Sequence, residues 1–161
     1  MGKRNLVIIG NGMVSHRFAE KLVEFGGLDR FEITIFGEEP RRAYDRVHLS
    51  EYFSEKSSES LYLSPSDWYR KNGIELLLSH PVISVDPKRR KVFTTKLDKN
   101  FDECVFATGS FPFVPEIDGI GKQGIFVYRT IEDLDQIREY AKRAQKTAVL
   151  GGGLLGLEEA K

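Results

Sequence analysis

The chain has one cysteine, Cys104, among 161 residues. A lone thiol closes no internal disulfide and builds neither an iron–sulfur cluster nor a structural zinc site; it fits a reducing, cytoplasmic setting. The three histidines, His16, His48 and His80, are scattered without ligand spacing, so no metal site is expected. An excess of either charge is missing too, because 24 Lys and Arg balance 24 Asp and Glu. Affinity for nucleic acid comes from unbalanced basic charge, so a polyanion-binding protein is disfavoured. No apolar run approaches the length that spans a bilayer, and residues 1–5 lead straight into a strand pattern. Neither a membrane anchor nor a signal peptide is expected. What is present is enough chain for one domain with a real core.

Leu6-Val7-Ile8-Ile9-Gly10-Asn11-Gly12-Met13-Val14-Ser15 organises that core. A short apolar run breaks into Gly-x-Gly-x-x-Ser, and a helical period follows, with Val14, Phe18, Leu22 and Phe25 predicted on one face. A buried parallel strand feeds a tight turn in this way, and the helix behind it offers its first amides to a pyrophosphate. Gly10 permits the turn, Gly12 has no side chain to hold phosphates off the backbone, and Ser15 is small enough for close packing. Gly26-Gly27 ends the helix, and Phe31-Glu32-Ile33-Thr34-Ile35-Phe36 alternates as a second strand. Glu38 follows it, 28 residues beyond Gly10. The fingerprint expects a ribose-binding carboxylate about 20 residues on, and the turn at 26–30 absorbs the excess. The competing reading is an ordinary β-α-β unit with a solvated acidic turn; the context favours a dinucleotide site.

Arg46 lies in the irregular stretch Ala43-Tyr44-Asp45-Arg46-Val47-His48-Leu49-Ser50, either completing a pyrophosphate cage or standing as a solvated surface arginine. Residues 54–60 read as an exposed loop. Ser64-Pro65-Ser66-Asp67 predicts a helix start capped by Ser64, with the helix stopping at Gly73. A third strand is expected over 74–78. Extended segments at 82–86 and 91–95, a turn at 98–100 and a strand at 103–107 then form an inserted antiparallel meander. Its basic run Lys88-Arg89-Arg90-Lys91 reads as a solvated turn. The last strand ends in Ala107-Thr108-Gly109, at the carboxyl edge where doubly wound sheets bind ligands, and two prolines stiffen the exit. A capping box at Thr130 precedes a helix with Ile131, Leu134, Ile137, Ala141 and Ala144 on one face. Residues 147–150 are expected as a strand, and Gly151-Gly152-Gly153-Leu154-Leu155-Gly156 is a second, complete fingerprint. The sequence stops at Lys161, with the second unit barely begun, so a fragment is expected. The predicted fold class is α/β, a truncated Rossmann-like parallel sheet carrying the small meander.

Two fingerprints joined through an Ala-Thr-Gly strand end resemble the two-dinucleotide-binding-domain flavoproteins. Within that superfamily, Tyr44-Asp45-Arg46-Val47-His48-Leu49-Ser50, Phe126-Val127-Tyr128-Arg129-Thr130-Ile131-Glu132-Asp133-Leu134 and residues 151–158 are most similar to the large subunit of NAD(P)H-dependent nitrite reductases. The resemblance covers essentially the whole chain. It implies that Gly10, Gly12, Met13 and Val14 form the FAD pyrophosphate turn, with Glu38 on the adenosine ribose and Arg46 near the pyrophosphate. Val82 would meet the adenine through its backbone, and Ala107, Thr108 and Gly109 would lie beside the cofactor. Gly151, Gly153 and Gly156 would open an NAD(P)H site, with Glu158 toward the nicotinamide.

Ser15 stands where the family has glycine, and Glu51 where ferredoxin-reductase relatives carry a lysine near the flavin. By the resemblance, residues 1–115 begin the FAD domain, 116–146 connect, and 147–161 begin the NAD(P)H domain. The implied chemistry is a relay from NAD(P)H through FAD to an iron–sulfur cluster and sirohaem in a downstream region, where nitrite becomes ammonium. Without that region the fragment alone is expected to be inactive. Expected partners are that downstream domain and a small subunit, and an incomplete sheet edge invites self-association. Two further readings stay open: a stand-alone rubredoxin- or ferredoxin-type reductase, and a nucleotide-binding module without turnover.

Overall fold

The computed structural model describes residues 2–54 and 57–159. In chain order the elements are β1 (Arg4–Ile9), α1 (Met13–Glu24), β2 (Phe31–Phe36), α2 (Glu51–Ser54), α3 (Trp68–Lys71), β3 (Glu75–Leu77), β4 (Val82–Asp86), β5 (Lys91–Thr94), β6 (Asp98–Asn100), β7 (Glu103–Phe106), α4 (Ile131–Ala141) and α5 (Leu154–Glu159). The chain divides into two compact units, one of Met1–Tyr44 with Tyr62–Gly109, the other of Asp45–Leu61 with Ser110–Lys161.

The first unit is built on a parallel sheet in the order β3-β2-β1-β7. Side chains alternate across a strand, so β1 serves two cores at once. Leu6 and Ile8 join Ile33, Ile35, Ala19, Tyr69 and Ile74 on the helical side. Val7 and Ile9 face the other way, with Phe36 and Val92, against Val82, Val85, Leu97 and Phe101. The second, antiparallel sheet β4-β5-β6 supplies that cover. The meander therefore has a structural role, keeping water off the face that α1 leaves open. Truncating fully buried Ile8 would cost about 2–5 kcal/mol.

Several elements differ from their sequence reading. Residues 98–100 are a strand rather than a turn; the reversal falls earlier, where Thr94 Oγ1 accepts from the amides of Lys96 and Leu97. Ser64 does not cap a helix: α3 is a single turn starting at Trp68 with Asp67 before it, and the Ser64 hydroxyl is buried without a hydrogen bond. The largest difference is the face of α1. Ser15, His16 and Ala19 are buried; of the predicted face only Leu22 packs against the core, whereas Val14 is 73% and Phe25 78% exposed and Phe18 lies at the surface. A helix that leaves the strand through so tight a turn lies close to the sheet at its start, where the small Ser15 and Ala19 fit, and Leu22 and Val23 reach the core further along. Gly26 then ends the helix as expected, in the left-handed conformation with its amide bonded to Val23 O.

In the second unit, Thr130 and Asp133 form a reciprocal capping box at the start of α4. Ile131 and Leu134 are fully buried, Tyr52 of α2 donates to Asp135 Oδ1 at 2.7 Å, and the Arg138 guanidinium lies over the Tyr52 ring. The predicted apolar face extends too far, because Ala141 is exposed and Ala144 lies beyond the helix. Residues 147–150 form no strand, and Leu150 is exposed. A strand needs a ladder, and no described strand pairs with this segment. Of the expected loop at 54–60, Glu55 and Lys56 lie outside the described residues, and Glu59–Leu61 makes one 3₁₀ turn.

Candidate functional site

Three strand ends meet at the carboxyl edge of the parallel sheet. Gly10 leaves β1 at φ 106°, and its amide donates to Phe36 O at 2.9 Å. A Cβ on Gly10 would lie 2.2 Å from the carbonyl oxygen of Ala107, just past β7, whose own amide donates to Ile9 O. The conformation and the neighbour thus both require glycine here. Gly12 is different. It is the N-cap of α1 in ordinary extended geometry, it offers no side-chain cap, and a Cβ there would meet nothing within 4 Å. The helix behind it has no acid in its first turn. Its leading amides, at Met13 and Val14 among others, have no partner within the helix, and the helix dipole makes that end attractive to an anion.

Beside this turn, β2 ends at Phe36 and Glu38 follows, exposed and with no partner among the described residues. Its backbone is held from both sides: Ser79 N–H donates to Glu39 O at 3.1 Å and His80 N–H to Gly37 O at 2.8 Å. Ser79 adopts φ 54°, a conformation rare for a non-glycine residue. Thr108 and Gly109 are exposed beyond β7, and Gly109 has φ 72°. Val82 opens β4 and packs into the core on the face away from α1.

The pieces suit the adenine half of a dinucleotide. A side-chain-free, uncapped helix start and an unpaired carboxylate one strand away are what a pyrophosphate and its ribose need. Gly10, Gly12, Met13, Val14, Glu38, Val82, Ala107, Thr108 and Gly109 all belong to this first unit.

Arg46 belongs to the second unit, where its Nη1 donates to Arg129 O at 2.9 Å. Next to it, Asp45 accepts from Val47 N–H and pairs with His48 Nδ1 at 2.8 Å. Burial raises the Asp45 carboxyl's proton affinity, but these hydrogen bonds outweigh it and leave the group below the usual carboxylate range. The second fingerprint forms a turn of its own, with Gly151 at φ 135° and α5 directly after Gly153. A Cβ on Gly156 would come within 2.0 Å of Gly151 O, so helix and turn pack with no room for a side chain. Glu158 lies in α5, and its side chain is outside the described part of the structure.

Residues 4–161 match the pyridine nucleotide-disulphide oxidoreductase family. The chain belongs to that family. This chain is 48% identical, over 99% of its length, to the nitrite reductase (NADH) large subunit of Escherichia coli (strain K12), of which it covers 19%. It is 40% identical over all its length to a nitrite reductase [NAD(P)H] of Bacillus subtilis (strain 168), covering 20% of it. The chain thus spans about a fifth of the length of these curated relatives. Among solved structures it is similar to the covalent putidaredoxin reductase–putidaredoxin complex, at 29% identity and a TM-score of 0.87, over 99% of this chain and 39% of that one. The α/β fold and the likeness to nitrite reductase large subunits read from the sequence both hold.

Cys104 is the only cysteine, so these 161 residues contain no redox disulfide. It sits half-buried in β7, where burial pushes its thiol up. Among the described residues no cluster of His, Cys, Asp or Glu could hold a metal, and no helix is long and apolar enough to cross a membrane. The sequence reading passed over Asn11, Gly37, Tyr69, Ser79 and His80, which surround the first turn and Glu38. Only Asn11 carried a signal, as the one side chain inside the Gly-x-Gly turn.

Proposed function

We propose that the first unit holds the adenine dinucleotide of FAD and that the whole protein is a cytoplasmic NAD(P)H-dependent nitrite reductase. The observation that carries the cofactor reading is the bare N-terminus of α1 at Gly12, set at the sheet's carboxyl edge beside Glu38, which is exposed and has no partner among the described residues. In this reading the Gly10, Gly12, Met13 and Val14 backbone receives the pyrophosphate and Glu38 accepts from the ribose hydroxyls. Val82 borders the adenine, Ala107, Thr108 and Gly109 line the cofactor, and Arg46 adds positive charge for the phosphates. Gly151, Gly153, Gly156 and Glu158 begin the NAD(P)H site. Residues 1–115 are then the first part of the FAD domain, 116–146 a connection, and 147–161 the start of the NAD(P)H domain.

Bound FAD supplies the exchange between a hydride donor and one-electron acceptors. The nitrite assignment rests on likeness to nitrite reductases along the whole chain. Their greater length leaves room for the iron–sulfur and sirohaem region, and a small subunit is a further partner. The test is anaerobic reduction of the purified whole protein by NADH, followed by nitrite. Bleaching of the flavin bands and their return with ammonium formation are expected; a protein without flavin would sink the reading. The likeness to putidaredoxin reductase favours a second reading, a reductase for a protein electron carrier. Flavin that reduces a rubredoxin or ferredoxin and ignores nitrite would establish it.

A further inference from the structure

A Gly-x-Gly turn is pliable, because glycine restricts its backbone least. The one side chain in this turn, Asn11, is tied to two other segments of the first unit. Its Nδ2 donates to Arg41 O at 3.0 Å, and its Oδ1 accepts from the Tyr69 hydroxyl across a longer 3.4 Å. Tyr69 in turn lies 2.9 Å from His16 Nδ1, with both rings buried. A phenol has one proton, so Tyr69 donates to Asn11 in the tautomer that carries the His16 proton on Nδ1 and leaves the buried Nε2 without a hydrogen bond. The direction of donation then runs from His16 to Tyr69 to Asn11, and Asn11 passes it to the Arg41 carbonyl.

The packing around this relay is close. The Trp68 and Tyr69 rings meet edge-on with centroids 5.0 Å apart, and His16 lies against both. On the other side, a Cβ on Gly37 would come within 3.0 Å of Asn11 Cβ, so the absence of a side chain at Gly37 makes room for Asn11.

We propose that Tyr69, backed by His16 and acting through Asn11, is a positioning residue that fixes the Gly10-Asn11-Gly12 turn in the shape that receives the FAD pyrophosphate. The proposal rests on the flavin reading given above. It assigns a role to three polar side chains that the binding site itself does not use. Preorganisation of this kind appears in affinity, since a turn that is already ordered loses less entropy when the ligand arrives.

The test is a titration of the whole apo-protein with FAD, comparing wild type, Tyr69→Phe, Asn11→Ala and the double variant. Tyr69→Phe keeps the ring and removes only the hydroxyl. Each single change should weaken FAD binding about 3- to 10-fold, the worth of one hydrogen bond. The double variant should lose less than the product of the two, as expected for members of one network. Backbone amides of the turn should exchange hydrogen faster in both single variants before FAD is added. If Tyr69 serves only the core, Tyr69→Phe will lower the melting temperature and leave FAD affinity and turn exchange unchanged; that result overturns the proposal. If Tyr69→Phe does not fold, Asn11→Ala decides alone, and unchanged affinity there overturns it equally. Wild type that binds FAD beside variants that bind it as well defeats only this proposal, whereas wild type that binds none defeats the flavin reading and the proposal with it.

Discussion

Replacing each of the first two glycines of the turn by alanine separates folding from binding, because the two positions fail for different reasons. At Gly10 an alanine must take φ 106° and place its Cβ 2.2 Å from Ala107 O. The backbone conformation costs an L-residue about 1–2 kcal/mol, and relieving an overlap in packed surroundings costs about 1–3 kcal/mol more. The sum, about 2–5 kcal/mol, is a large share of the roughly 5–15 kcal/mol that holds a typical domain together. Gly10→Ala should therefore melt well below wild type in the absence of any ligand. At Gly12 the same methyl meets no atom within 4 Å and the backbone is unstrained. Since alanine is only a poorer N-cap than glycine, its cost to stability is about 1 kcal/mol or less. Its methyl nevertheless fills the space above the helix start, so FAD affinity should fall about tenfold or more, a loss of at least about 1.4 kcal/mol. Thermal melting of both apo-variants, followed by FAD titration of Gly12→Ala, checks the pair. A Gly12→Ala protein that binds FAD like wild type would refute the assignment of that space to the pyrophosphate.

Glu38→Gln keeps the shape and removes the charge, and should weaken FAD binding about tenfold, as loss of a charge-assisted hydrogen bond does; unchanged affinity would take Glu38 out of the site. Thr130→Ala removes one half of the α4 capping box and should cost about 1 kcal/mol in chemical denaturation, with Thr130→Ser recovering most of it. His16 titrates with a definite sign. Burial lowers its proton affinity below the ordinary value of 6.5, with Glu20 opposing and Arg17 adding to the shift. The unfolded chain therefore binds the proton first, so stability is full above pH 6.5 and declines as pH falls below it. His16→Gln should flatten that part of the stability–pH curve, and an unchanged slope would show that His16 does not carry it.

The strand–turn–helix at the start was legible because periodicity and glycine placement pointed the same way. A four-residue apolar run has no polar face to leave in water, so Leu6-Val7-Ile8-Ile9 had to be a central strand. The buried face of α1 was not legible from hydrophobicity, because the side turned to the sheet begins with the polar Ser15 and His16 beside Ala19, while Val14 and Phe25 stay out. The strand at 147–150 failed for the opposite reason, since its pattern is right but pairing is a property of two segments. In the candidate site, Glu38 and the glycines were visible as local motifs. Tyr69 was not, because its link to Asn11 spans 58 residues and arises only when α3 comes to rest on the face of the sheet that α1 covers.

The third position of each fingerprint shows how far the two turns differ. At Gly156 there is no space for a methyl, whose carbon would sit 2.0 Å from Gly151 O. At the equivalent place in the first turn, Ser15 is accommodated with a complete side chain and no exposure. The first turn therefore leaves room at its third position for a Cβ and a hydroxyl, which the second does not. That extra atom gains nothing visible, because the Ser15 hydroxyl is buried without a hydrogen bond. An unsatisfied buried hydroxyl costs about 1–3 kcal/mol, and alanine is also the better helix former. Ser15→Ala should then raise stability by about 1 kcal/mol while leaving FAD affinity unchanged, whereas Gly156→Ala should destabilise its own unit by at least as much. Denaturant melts of both variants decide it. A loss of stability in Ser15→Ala would mean that the hydroxyl holds a partner, an enclosed water being the one small enough to fit, and that the spacing of the first helix is set by a hydrogen bond rather than by packing.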